Sequence, residues 1–118
     1  MTKINNTSRP KPLAEFELLV MLATLRLGPS EAYTVSIVHD IEERTGRSVR
    51  RANVYTTLER LEAKGLISTH LGDPRPERGG KARRLVTVEA AGLAAVRATT
   101  TDIMSMVGDL GDLIGLVK

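Results

Sequence analysis

From Arg50 to Ile67 the chain reads Arg-Arg-Ala-Asn-Val-Tyr-Thr-Thr-Leu-Glu-Arg-Leu-Glu-Ala-Lys-Gly-Leu-Ile, the pattern of a helix that stops at a glycine and turns into a strand. On a helix, Val54, Leu58 and Leu61 share one face at i, i+4, i+7, while Asn53, Thr56 and Arg60 occupy the opposite one. One face packs and the other is left to read a surface. Gly65 follows Lys64 where a helix ends in a left-handed residue, and Leu66-Ile67 begins an extended run.

Charge is concentrated around the same segment. From Arg44 to Arg84 there are eleven Lys and Arg against four acids, a net of +7, while the rest of the chain carries six against ten, a net of −4. Such a block is suited to neutralising a polyanion and releasing its counterions. A chain of 118 residues supports one small domain with an accessory element. It has no cysteine for disulfides or thiolate metal sites. No apolar leader is present at the N-terminus, and the longest apolar run, Leu18 to Ala23, falls far short of the ~20 residues of a membrane span. The expectation is a cytoplasmic protein with no membrane contact.

Residues 1–12 are polar, with two prolines and no periodicity, and are expected to form a flexible arm. Residues 13–88 are assigned to the DNA-binding domain. Leu13 to Leu27 is a buried helix with Glu15 and Glu17 in its first turn, ended by Gly28-Pro29. A second helix runs from Thr34 to Thr45 on the stripe of Val35, Val38 and Ile41, and Gly46 stops it. Ser48-Val49 is read as a minimal strand before a third helix that starts near Ala52. Leu66 to Leu71 and Arg84 to Val88 are strands joined by a basic Pro/Gly loop. The fold is therefore mainly α with a small β-hairpin: a winged helix-turn-helix, its third helix in the major groove and its loop along the backbone or minor groove.

From Glu89 onward Leu93, Val96, Thr100, Ile103, Val107, Leu110, Ile114 and Val117 repeat at spacings of three and four, a heptad seam sustained through residues 89–118. A long C-terminal dimerisation helix is expected, the competing reading being a helix folded back on the winged domain. Gly108, Gly111 and Gly115 share a face and cost about 1 kcal/mol each relative to Ala, so the last turns are places to bend.

The residues expected to meet DNA are Arg51, Ala52, Asn53, Tyr55, Thr56 and Arg60 on the third helix, with Arg50, Arg75, Arg78, Lys81 and Arg84 on its flank and on the wing. Asn53 and Thr56 are expected at base edges, Tyr55 and Arg60 at phosphate or flanking the groove. Along the second strand Arg83 and Leu85 point to the core side, which leaves Arg84 as the outward cation. His39 and His70 have no partners at metal-ligand spacing, and no cofactor is implied. Gly79-Gly80-Lys81 lacks the Ser or Thr, the spacing and the strand of a phosphate loop, and Glu42-Glu43 sits on a solvated face. No catalytic constellation is present, so the chain is not expected to be an enzyme.

Over roughly Leu13 to Val107 the sequence resembles the PadR family of bacterial transcriptional regulators. The resemblance rests on Tyr55 to Ile67 with Leu58, Leu61, Gly65, Leu66 and Ile67, and on Gly79-Gly80-Lys81-Ala82-Arg83-Arg84. Leu85-Val86 replaces the family's two aromatics, and Glu89-Ala90-Ala91-Gly92 has Glu where its helix start has Thr. What the resemblance implies is a homodimeric repressor of a near-palindromic operator, in the compact form with a single C-terminal helix that makes the dimer. The partners are then double-stranded DNA and a second copy of the chain, with a small-molecule effector allowed for. With two Tyr, one Phe and no Trp, a pocket that stacks planar aromatics is disfavoured. The competing class is a winged-helix protein-interaction module, against which stand five cations between Arg75 and Arg84.

Overall fold

The computed structural model describes residues 9–73 and 82–116. In chain order the elements are α1 (Glu15–Leu27), α2 (Thr34–Thr45), α3 (Arg51–Ala63), β1 (Ile67–Leu71), β2 (Arg84–Val88) and α4 (Ala90–Val107). Helix α1 is apolar nearly all round because it is the centre of the molecule: it packs against α2, α3, α4 and β2 and buries Leu18, Val20, Met21 and Ala23. Ile37, Val38 and Ile41 of α2 and Val54, Leu58 and Leu61 of α3 close the core around it.

Strands β1 and β2 pair antiparallel with Ile67 opposite Val88 and Leu71 opposite Arg84. The outer edge of β2 is held by the α1–α2 connection, where the Val86 N–H donates to the Ala32 carbonyl at 2.9 Å. Ser48-Val49, expected as a minimal strand, forms none: the Val49 N–H donates to a Glu42 carboxylate oxygen at 2.9 Å, so it is satisfied without a ladder. The first strand begins one residue later than the pattern suggested because the Leu66 N–H is used to close α3. It donates to the Leu61 carbonyl at 3.0 Å while Gly65, at φ 78°, donates to Glu62 at 2.9 Å, the paired bonds of a Schellman ending.

The Leu66 carbonyl then accepts the Glu89 N–H at 3.0 Å, which seats the start of α4 on the end of α3. Gly92 makes the seat possible, since a Cβ there would lie 2.1 Å from the Leu66 oxygen and 2.8 Å from Met21 Cε. Helix α4 runs antiparallel along α1, from Gly92 beside Met21 to Thr99, whose Oγ1 accepts the Leu13 N–H at 3.0 Å. Outside that contact the Arg9 guanidinium donates to Asp102 at 2.6 Å. Residues 1–8 of the expected arm lie outside the described residues.

Glu17 fastens α1 to α3. Its side chain is buried, accepts the Ala14 N–H at 2.9 Å, and lies 3.0 Å from Lys64 Nζ and 3.8 Å from Arg60 Nη1. Burial pushes its pKa up, but the Ala14 hydrogen bond, Lys64 and Arg60 outweigh that and hold it below the ordinary value.

The heptad expectation is corrected in two respects. Val96 is 6% exposed within its own chain, packed in the core rather than offered to a second copy. The helix also ends at Val107, not at the chain end, because Gly108 adopts φ 50°, ψ −123° and its N–H closes on the Met104 carbonyl at 2.9 Å. Leu110 and Ile114 therefore lie on a run of turns after α4, and Val117 is outside the described residues.

Two outcomes test this packing. Gly92→Ala forces the Leu66 peptide and α4 apart and is expected to cost about 1–3 kcal/mol, read as a lower urea midpoint; an unchanged midpoint means that α4 is not seated there. Glu17 has a folded pKa below its unfolded one, so its contribution is complete above the unfolded pKa and is lost as pH falls through the folded one. Glu17→Gln should flatten the acid limb of the stability–pH curve, and an identical limb in the variant shows that Glu17 does not carry it.

Candidate nucleic-acid interface

The core face of α3 is fixed by Val54, Thr57, Leu58 and Leu61, which leaves Ala52, Thr56, Glu59 and Ala63 pointing outward. The sequence-derived residues divide around that ridge. Asn53, Thr56 and Arg60 border a depression of about 410 Å³ shared with Phe16 and Glu17 at the start of α1. Tyr55, 52% exposed, faces the other way, into a groove of about 290 Å³ closed by Arg84, Thr69 and Thr34.

At the N-terminal end of α3, Arg50 is the N-cap in extended conformation with no side-chain cap bond, and the first turn holds no acid. No side chain caps the first N–H groups, and Arg50 and Arg51 beside them are exposed, an arrangement that favours phosphate.

The hairpin supplies the second wall. Arg84 is exposed and donates to Thr69 Oγ1 at 3.0 Å; Thr69 donates to Glu62 at 3.1 Å, so the cation is tethered across β1 to α3. Arg83 points to the opposite side, half-buried, with its guanidinium 4.6 Å from the Tyr33 ring centroid. Leu85 is buried on that same side, yet the core lies on the other: Val86, 1% exposed, and Val88 pack into it from Arg84's face of the strand. The expectation that Arg83 and Leu85 point to the core is thus corrected, and Arg84 is exposed because it stands at the far end of that face. Arg75, Arg78 and Lys81 lie outside the described residues.

Besides Arg60 and Lys64, which face Glu17, two more cations of the basic block have carboxylate partners. Arg44 lies 3.4 Å from Asp40, which Arg26 also engages at 2.8 Å, and Arg47 donates to Glu15 at 2.6 Å. The Arg26 and Arg44 contacts hold the Asp40 carboxyl below its ordinary pKa, the Arg26 hydrogen bond contributing most. Sequence reasoning missed the groove's acceptors, Glu59 and Glu62, although Glu59 follows Tyr55 by four residues and so shares its side of α3. A carboxylate beside Tyr55 repels phosphate and accepts only from donors such as the cytosine amino group.

Along α4, Leu93 is 43% and Ile103 47% exposed, and Met104 and Met106 more so. Thr100 is half-buried with its Oγ1 unpartnered among the described residues. Across the end of the helix, Ile103, Met106 and Val107 of α4 and Leu110 and Ile114 after it line one open apolar groove. Among the described residues no group of three or more His, Cys, Asp or Glu is placed to hold a metal, and no helix is long and apolar enough to cross a membrane.

The same architecture occurs in a PadR family transcription regulator from Clostridium difficile R20291 at 15% identity, covering 86% of this chain and 99% of that one with a TM-score of 0.68. A PadR family transcriptional regulator from Eggerthella lenta is 24% identical over 85% of this chain and 86% of its own, with a TM-score of 0.64. By sequence, no curated protein matches. The family model described as the transcriptional regulator PadR-like family matches residues 21–98, more than half of the chain. The chain thus belongs to the PadR-like family, whose members are transcriptional regulators and not enzymes.

Proposed function

We propose that this regulator is a cytoplasmic homodimeric repressor that binds double-stranded DNA at a near-palindromic operator. The observation that carries the reading is the uncapped, acid-free N-terminus of α3 between Arg50 and Arg51, with Ala52, Asn53, Tyr55 and Thr56 exposed just behind it. A recognition helix reads bases with its N-terminal residues. Asn53 and Thr56 are assigned to base edges, and Tyr55, Arg60, Arg50 and Arg51 to backbone or groove walls. Arg84, with Arg75, Arg78 and Lys81 of the wing, adds phosphate contacts that raise affinity for every sequence alike.

Selection of genomic fragments at physiological salt, followed by a salt series on the selected site and on random DNA, tests this assignment. Asn53→Ala is expected to flatten base preference at one position of each half-site, a loss of roughly 1–3 kcal/mol of discrimination. Arg84→Ala should instead weaken both DNAs and lower the salt slope by about 0.9. Base preference unchanged in Asn53→Ala moves the reading to other residues, and failure to enrich any fragment removes the proposal.

Dimerisation is assigned to the exposed part of the seam: Leu93, Thr100, Ile103 and Val107 on α4, with Leu110 and Ile114 after it. Supporting this, Met104, Met106 and Leu113 widen the apolar surface well beyond scattered exposure. Ile103→Asp/Val107→Asp should give monomers by sedimentation and, with half-sites no longer joined, a large loss of operator affinity. Because Ile103 is already 47% exposed, the monomer should keep its helical circular dichroism. A folded, intact dimer in this variant places the interface elsewhere.

A further inference from the structure

Away from the N-terminal end of α3, at its opposite end, lies a pocket of about 490 Å³, within the range that holds small ligands. Its floor is Leu13, Leu66 and three alanines on the first turns of α4, Ala91, Ala94 and Ala95. The space exists because those three side chains stop at Cβ. Its rim carries Arg9, Lys11 and Lys64.

The charges at the rim do not cancel. Arg9 is paired with Asp102 and Lys64 with Glu17, while Lys11 has no ion-pair partner among the described residues. Helix α4 begins at the pocket with no acid in its first turn and no side-chain cap. The N-cap Glu89 carboxylate, which accepts from Ser68 Oγ at 2.5 Å, offsets part of its dipole's positive end and leaves Lys11 as the rim's unpaired charge. The site's complement is therefore a single negative charge on an apolar body. No aromatic residue lines the walls, so nothing there stacks a planar ring.

We propose that this pocket binds a small aliphatic monocarboxylate, its carboxylate between Lys11 and Lys64 and its chain along Leu13, Leu66 and the alanines. The pocket has a direct line to α3, because Lys64 and Arg60 share the same Glu17 oxygen, at 3.0 and 3.8 Å. A ligand carboxylate that draws Lys64 off leaves Arg60 as Glu17's remaining cation. Arg60 is then pulled against α1 and away from DNA, a coupling that rests on the DNA-binding reading, whereas ligand binding itself does not.

The test is calorimetric titration of the full-length protein with straight-chain carboxylates from butanoate to octanoate, with amide chemical shifts followed in parallel. Affinity should rise roughly fourfold per methylene, the matched alcohols should bind about tenfold more weakly, and the shifts should centre on Leu66, Ala91, Ala94 and Ala95. Lys11→Gln, at an exposed position, should weaken octanoate binding by about tenfold and leave the spectrum otherwise intact. Ala94→Leu should fill the pocket and abolish binding. No saturable binding at millimolar octanoate overturns the proposal, as do equal binding of octanol or shifts centred on the Ile103–Ile114 groove. With DNA added, octanoate should weaken binding of the wild type and leave Glu17→Gln, which keeps the pocket, unaffected. DNA affinity indifferent to bound octanoate overturns the coupling alone. A protein that takes up octanoate but binds no DNA overturns the repressor reading and leaves the pocket standing.

Discussion

The peptide group of Leu66 is where the three parts of this molecule are joined. Its N–H closes α3 onto Leu61, its carbonyl accepts the first free N–H of the α4 turn at Glu89, and β1 starts at the next residue. Recognition helix, wing and C-terminal helix therefore take their positions from one backbone unit, and Gly92 is required because the approach leaves no room for a Cβ. A displacement of α4 cannot occur without moving the end of α3 or stretching the Glu89 to Leu66 hydrogen bond. This rigid corner ties the pocket lined by Lys64, Leu66 and Ala91 to the end of α3.

Much of the fold was legible because local and global signals agree. The Gly46 stop gives α2 its observed end, although its buried face carries Ile37 with Val38 and Ile41 where Val35 was expected. Arg84 to Val88 forms the expected strand with Leu85 and Val86 both buried. The errors fall where a local pattern had a non-local partner. Ser48-Val49 has the residue types of a strand, yet the place beside β2 is taken by Ala32, and Val49 is satisfied by Glu42. Heptad spacing identifies which side of α4 is apolar without saying what covers it: Val96 is covered by its own chain, Ile103 is not. Nothing in the spacing announces the change, since it depends on where α1 ends in space. Gly108 was visible as a weak point, but its conversion into a helix stop depends on the backbone it adopts.

The candidate site was legible in composition and less so in arrangement. A run of cations does not reveal which are committed to the fold: Arg44 and Arg47 hold Asp40 and Glu15, and Arg83 lies over Tyr33, whereas Arg50, Arg51 and Arg84 remain exposed. Surface ion pairs of this kind contribute little to stability. Their larger effect is to remove cations from the surface available to DNA, so the +7 block presents a narrower positive field than its count implies. The carboxylates of Glu59 and Glu62 narrow it further on the wing side of α3. Attraction is thereby directed to the N-terminal turn, where base reading is geometrically feasible.

Helix α4 is continuous across a change of surroundings. Up to Thr99 its Gly92, Ala95 and Val96 are buried in the domain, with Leu93 at the edge, and the Leu13 N–H to Thr99 Oγ1 bond marks the last of these buried positions. Past Asp102, which Arg9 clamps, the stripe runs on beyond the body of the domain with Ile103 and Val107, and the turns after Gly108 bring Leu110 and Ile114 alongside. A stripe rigidly continuous with the core cannot rotate to hide this surface, because Val96 and Ile103, seven residues apart, share one face, and turning Ile103 to another side would carry Val96 out of the core. The energetic cost of wetting the second half is thus imposed by the packing of the first. Burial against another apolar surface is the one way to remove it, and an occupant fastened there inherits its angle to α3 through the Leu66 corner. In a symmetric pair, the separation of the two recognition helices would follow from this same geometry.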